Sequence, residues 1–179
     1  ALLTGLTDEN SSPYASWTYD ASALASSSEH AGAVDRYAMA YQKDGSGRIT
    51  GATVTNPLNA VTQYSFQTIL SAIKPSSISH PLLPGVTRSL TYDTRGNLVS
   101  QTDYNGNLTT FTWDLTRNLE TSSVEASGTP QARTISTEWH PTFRLPTRIA
   151  QPLQRTTLTY DAKGNALTRT EQSTTDANG

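Results

Sequence analysis

The sequence predicts an all-β fold made of antiparallel hairpins in a meander. Three observations carry this. Apolar and polar residues alternate over short stretches, turn residues punctuate the stretches roughly every ten positions, and no stretch has the period of an amphipathic helix. The composition agrees: Ser and Thr are abundant beside three Trp and eight Tyr, and β-branched and aromatic residues favour extended backbone. Hydrophobic residues make up 35%, and the aromatics argue against a disordered chain.

The strands read in order. Ala15, Trp17 and Tyr19 share a face, as do Tyr37, Met39 and Tyr41, and then Tyr64 and Phe66. Further on, Leu90 pairs with Tyr92, Thr109 with Phe111 and Trp113, Ile135 with Trp139, and Leu158 with Tyr160. Turns are expected at Asp20-Ala-Ser-Ala, Glu29-His-Ala-Gly, Lys43-Asp-Gly-Ser-Gly, Asn56-Pro-Leu-Asn, Asp93-Thr-Arg-Gly, Asp103-Tyr-Asn-Gly and Asp161-Ala-Lys-Gly. The organisation that follows is a flank (1–13), a first meander (14–73), a Pro-rich connection (74–85), a second meander (86–172) and a loose polar tail (173–179). Pro75, Pro81 and Pro84 lack the backbone donor a central strand needs, so 74–85 is expected to be a loop.

One phrase recurs. An aromatic followed by Asp, two free positions and Gly-Asn appears as Tyr92-Asp93 with Gly96-Asn97, and again as Tyr160-Asp161 with Gly164. Trp113-Asp114 and Trp139-His140 fall between them, and Asp103 with Gly106-Asn107 marks a half-repeat. Asp is expected to accept backbone N–H bonds and close an Asx turn. Gly supplies a positive φ and lets the turn end in a bulge, and Asn tolerates similar geometry. The aromatics are expected to form a ladder, each pair adding ~0.5–1 kcal/mol. Ala23, Arg117 and His140 depart from the pattern at positions where Gly, Gly and Asp are expected.

Tyr-Asp-x-x-Gly-Asn-Leu followed by a second Asp-x-x-Gly resembles the YD repeat of the Rhs family. Trp139 to Pro146, Trp17-Thr-Tyr-Asp20 and Ser28-Glu-His-Ala-Gly32 are similar to phrases of bacterial Rhs proteins. The resemblance runs from about Tyr14 to Gly179. It implies a stretch of a spiralling β-sheet cocoon that encloses a C-terminal toxin domain, with type VI secretion and interbacterial competition as the setting. The implied partners are the rest of the parent protein and its enclosed toxin. The implied location is the bacterial cytoplasm before export, then secretion or delivery with the parent. The family's Asp-Pro release motif is missing, since no Asp-Pro occurs.

Net charge is −2, and no basic stripe marks a nucleic-acid surface. Cysteine is absent, which removes thiolate metal sites. No apolar run is long enough to span a bilayer as a helix. ALLTGLTDEN lacks the features of a signal peptide, and the chain is expected to be an interior segment. His30, His80 and His140 have no metal-ligand spacing. The repeated Asp residues occupy like environments, unlike catalytic pairs. The expectation is therefore a structural role with no catalysis and no cofactor. The alternative is a carbohydrate-binding or adhesive β-repeat module using its Tyr and Trp. Exposed sheet edges are expected to drive self-association.

Overall fold

The computed structural model describes residues 1–179. It contains no helix and fifteen strands, arranged in the order in which they occur in the chain. In the first half these are β1 (Gly5–Thr7), β2 (Pro13–Tyr19), β3 (Ala25–His30), β4 (Val34–Lys43), β5 (Ile49–Thr55), β6 (Val61–Ile69), β7 (Ala72–Ser79) and β8 (Thr87–Tyr92). The second half adds β9 (Leu98–Thr102), β10 (Leu108–Asp114), β11 (Leu119–Glu125), β12 (Arg133–Trp139), β13 (Pro146–Gln151), β14 (Gln154–Tyr160) and β15 (Ala166–Ser173). Each strand pairs antiparallel with its chain neighbours, so every connection is a hairpin. Two compact units result, Ala1–Ser89 and Leu90–Gly179.

In Leu90–Gly179 the register sorts side chains by chemistry. Phe111, Ser123 and Ile135 lie in one row, and Thr137, Ile149 and Thr156 in another. Alternation adds Trp113, Trp139, Leu158 and Tyr160 to this apolar face. The opposite face is mostly Ser and Thr, including rows such as Thr112, Ser122, Ser136. Hydroxyls bridge strands there, Thr91 to Ser100 and Thr159 to Thr168, each at 2.6 Å. In Ala1–Ser89 the same division holds. Tyr41, Ala52, Tyr64 and Ile78 form one row, while Gln42, Gly51, Ser65 and Ser77 form another.

Little is buried deeply. The buried apolar side chains are Ala52, Leu90, Leu119 and Ala150, and no large side chain is fully buried. Backbone ladders and cross-strand pairs therefore carry most of the order.

Three segments differ from the sequence reading. Lys74 to Ser79 is strand, not loop, because Pro75 pairs with Phe66 beside a register shift at Ser65/Phe66. The missing N–H falls where the ladder is already irregular, and the connection shrinks to the turn 80–86. Glu29 and His30 belong to β3, and the turn occupies 31–33. The tail is tied down: Leu153 donates its N–H to the Asp176 carbonyl at 3.1 Å, and Thr174 donates to the Leu153 carbonyl at 3.0 Å.

Gly51, inside β5, is a further finding. A Cβ there would sit 2.5 Å from Gln42 Oε1 and 2.8 Å from the Tyr64 carbonyl oxygen. The Gln42 amide occupies the space and donates to Thr53 Oγ1 at 3.2 Å. A lone Gly in the alternating run Ile49-Thr-Gly-Ala-Thr-Val-Thr is the signal of such a close approach.

Candidate functional site

The recurring turn is one five-residue device. At Asp93 the Oδ1 accepts the N–H of Arg95 at 2.8 Å and of Asn97 at 2.9 Å. The Asp93 N–H reaches the Asn97 carbonyl at 2.9 Å, and the Gly96 N–H returns to the Asp93 carbonyl at 3.0 Å. Gly96 stands at φ 83°, where an L side chain is crowded. The same set of bonds recurs at Asp8, Asp20, Asp44, Asn56, Asp103 and Asp161. The fourth residue has positive φ in each, whether Gly (47, 106, 164), Ser11, Ala23 or Asn59.

The Asn after Gly has a different role from the one expected. Its backbone is not left-handed. Its side-chain amide donates to the second Asp oxygen, Asn97 to Asp93 at 3.0 Å, and Asn107 to Asp103 and Asn165 to Asp161 each at 2.8 Å. Both carboxylate oxygens are thus engaged wherever the full Asp-x-x-Gly-Asn phrase stands.

The departures follow the same logic. Ala23 accepts φ 61° in place of Gly. After Trp113-Asp114 the positive φ moves from Arg117 to Asn118, at 54°, and the turn is redrawn around it. At His140 the imidazole replaces the carboxylate. Its Nδ1 accepts the N–H of Thr142 at 3.2 Å and of Phe143 at 3.1 Å. His80 does likewise for Leu82 at 3.1 Å. Two histidines are therefore turn acceptors, and His30 lies against Tyr14, ring centroids 5.4 Å apart.

The polar edges of Trp113, Trp139 and Tyr160 in the second unit each reach a carbonyl of a neighbouring strand, while Tyr64 and Phe66 stack in the first unit with ring centroids 6.1 Å apart. Trp113 donates its indole N–H to the Leu98 carbonyl at 2.8 Å, and Trp139 to the Glu120 carbonyl at 2.7 Å. Tyr160 donates its hydroxyl to the Pro146 carbonyl at 2.7 Å. Each ring ties its polar edge to the start of the neighbouring strand. Tyr92 closes β8 on the same side as Leu90.

Arginines join successive turns, a feature missed in the sequence. Arg95 donates to the Leu115 carbonyl, Arg117 to Phe143 at 2.7 Å, and Arg144 back to Arg117 and Asn118 at 2.7 and 2.9 Å. Gly164 faces Phe143 and Leu145. The turns 93–97, 114–118, 140–145 and 161–165 form a column along one edge of this unit. The signal was present: a basic residue, Arg95, Arg117, Arg144 or Lys163, sits in each of them.

The turn carboxylates are held below the ordinary carboxylate range. The Asn side-chain bond is the largest cause at Asp103 and Asp161, followed by the backbone amides. At Asp44 the largest is the Ser46 hydroxyl. At Asp93 desolvation is the largest influence and opposes the shift, but the combined bonds from Asn97, Arg95 and Gly96 outweigh it. Glu120 is pushed up by burial, offset in part by Ser123. Groups with depressed folded values stabilise above their unfolded range near pH ~4, and that contribution is lost as pH falls through the folded values. Glu120 acts oppositely and favours folding less once pH rises past its ordinary range. The turn aspartates outnumber it, so an acid titration followed by circular dichroism is expected to show stability falling below pH ~4. Replacing Asp103 and Asp161 with Asn should flatten that slope.

Backbone strain gives a second test. Gly96→Val forces a β-branched residue to φ 83° and is expected to cost ~2 kcal/mol. Ala23→Gly relieves the same strain and is expected to gain ~0.5 kcal/mol, after Gly's larger unfolded-state entropy is subtracted. Urea unfolding of both variants reads the two signs.

Turn-capped hairpins repeated along an open sheet define the class: a β-repeat segment whose turns are structural. The family model described as RHS Repeat matches residues 92–130. No curated protein matches the chain in sequence. Among solved structures, the crystal structure of TcdB2-TccC3-Cdc42 is similar with a TM-score of 0.42 and 14% identity, over 94% of this chain and 11% of that one. TcdB2-TccC3 gives 0.42 and 15%, over 94% and 12%. A Photorhabdus luminescens Tc holotoxin pore with a TccC3 mutation gives 0.32 and 13%, over 92% and 12%. This chain spans about a tenth of the length of those chains.

Proposed function

We propose that this chain is a stretch of wall in the β-sheet shell of an Rhs parent protein, enclosing a C-terminal toxin domain. The single observation that carries this is the column of turns at Asp93, Asp114 and His140, cross-linked by Arg95, Arg117 and Arg144. It makes an edge that propagates from hairpin to hairpin without converging on any reactive point. The chain has no catalytic role in this reading. The sheet's modest burial fits it as well, since a wall one layer thick leaves both faces available, one to contents and one to surroundings. The parent is exported with its cargo, type VI secretion being the route and a competing bacterium the target. No helix is long and apolar enough to cross a membrane.

The test is proteolysis of the full-length parent. The C-terminal domain should resist protease in the intact protein and become sensitive when Arg117 and Arg144 are both replaced by Ala. A domain digested equally fast in both contradicts the shell.

Sheet edges give a companion expectation. All eight residues of β15, a terminal strand of the order, are exposed, and an open edge of that length recruits strands. The isolated chain is expected to self-associate, read as a concentration-dependent mass in light scattering.

A further inference from the structure

Tyr14, Trp17 and Tyr37 stand apart from the carbonyl ties that Trp113, Trp139 and Tyr160 make. They line one groove of Ala1–Ser89, with a volume of about 480 Å³, within the range of small-ligand sites. The register builds it. Trp17 pairs with Ser28, and Ser28 pairs with Tyr37, so two rings stand on alternate strands over one small hydroxyl. Neighbouring strands lie about 4.8 Å apart, which separates the two aromatic positions by roughly 10 Å. A body centred between them is roughly 5 Å from each, inside the ~6 Å over which a ring face holds a cation. Tyr14, in edge contact with His30 at 5.4 Å, adds a third ring at one end.

The charge comes from a bulge. The β3–β4 register shifts between Ser28 and His30, and Asp35 takes φ 52°, a conformation that Asp and Asn adopt more readily than most residues. Asp35 thereby lines the groove with Tyr37. The adjacent Arg36 is engaged by Glu29 at 3.4 Å, and Asp35 has no ion pair of its own. Three aromatic walls and one uncompensated carboxylate remain. A primary ammonium brings three N–H donors that each need an acceptor. A quaternary ammonium has none, spreads its charge over methyl groups, and needs only ring faces and a nearby anion.

We infer that the groove between Trp17 and Tyr37 takes the quaternary ammonium group of a small soluble amine, its methyls against the rings and its charge beside Asp35.

The test titrates the full 179-residue chain with tetramethylammonium chloride and with choline chloride, ionic strength being held constant with sodium chloride. The indole N–H resonance of Trp17 is followed by NMR. Neohexyl alcohol, the uncharged carbon isostere of choline, separates charge from shape. The expected result is saturation by both ammonium salts with Kd about 1–10 mM, shifting Trp17 and leaving Trp113 and Trp139 unmoved, and binding of the alcohol about tenfold weaker. Tyr37→Leu keeps apolar bulk and removes a ring face. Asp35→Asn keeps the backbone conformation and removes the charge. Each should weaken binding about threefold. No shift with tetramethylammonium, an equal response to the alcohol, or unchanged affinity in both variants would each overturn the assignment. The comparison of choline with the alcohol uses the unaltered chain, so it decides even where a variant unfolds. None of these outcomes bears on cargo protection in the parent, so the two readings fail separately.

Discussion

Trp139→Ala is expected to lose about 3 kcal/mol of unfolding free energy, the lower end of the range for Trp truncation because the ring is only partly buried. The loss has two sources. The ring covers the edge of the neighbouring hairpin, and its N–H holds the Glu120 carbonyl at 2.7 Å. Trp139→Phe separates them, keeping most of the cover and removing the bond, and is expected to lose about 1 kcal/mol. Trp113, bonded to the Leu98 carbonyl in the same way, should show the same ordering. Urea denaturation of the four variants measures it. Equal losses for Phe and Ala would mean that the carbonyl bond dominates.

Gly51→Val is the other large effect. The new side chain meets the Tyr64 carbonyl oxygen, which is backbone in a paired strand and has nowhere to go. Overpacking of this kind costs about 1–3 kcal/mol. Gly51→Ala meets the same contact at Cβ and should lose a similar amount, unlike a position where only the branched methyls clash. Gln42→Ala removes one of the two obstructions, so Gly51→Ala should be less harmful in that background. A double-mutant cycle reads the coupling. Additive losses would place the strain entirely on the backbone.

Much of the architecture was legible because it is local. Alternation at Thr109, Phe111 and Trp113 identifies a strand face, and Asp followed by Gly at the third position identifies a turn, without reference to any distant residue. Local preference misleads where pairing overrules it. Pro75 has the look of a strand breaker, yet a bulge opposite Phe66 absorbs its missing donor. The polar segment after Ser173 has the composition of a loose tail, yet it hydrogen-bonds to the Pro152-Leu153 turn. Asn97 suggests backbone tolerance, but its amide serves the Asp93 carboxylate. The arginine links were missed for the same reason, since Arg117 and the Phe143 carbonyl are 26 residues apart.

Site-resolved amide exchange on the isolated chain tests the central claim most directly. If equivalent turns are equivalent structural units, the N–H groups that bond to turn acceptors, those of Arg95, Asn97, Asn105, Asn107, Lys163 and Asn165, should be protected to a similar degree along the second unit. Protection concentrated in one turn, with the others exchanging at unfolded rates, would contradict a wall of repeated hairpins.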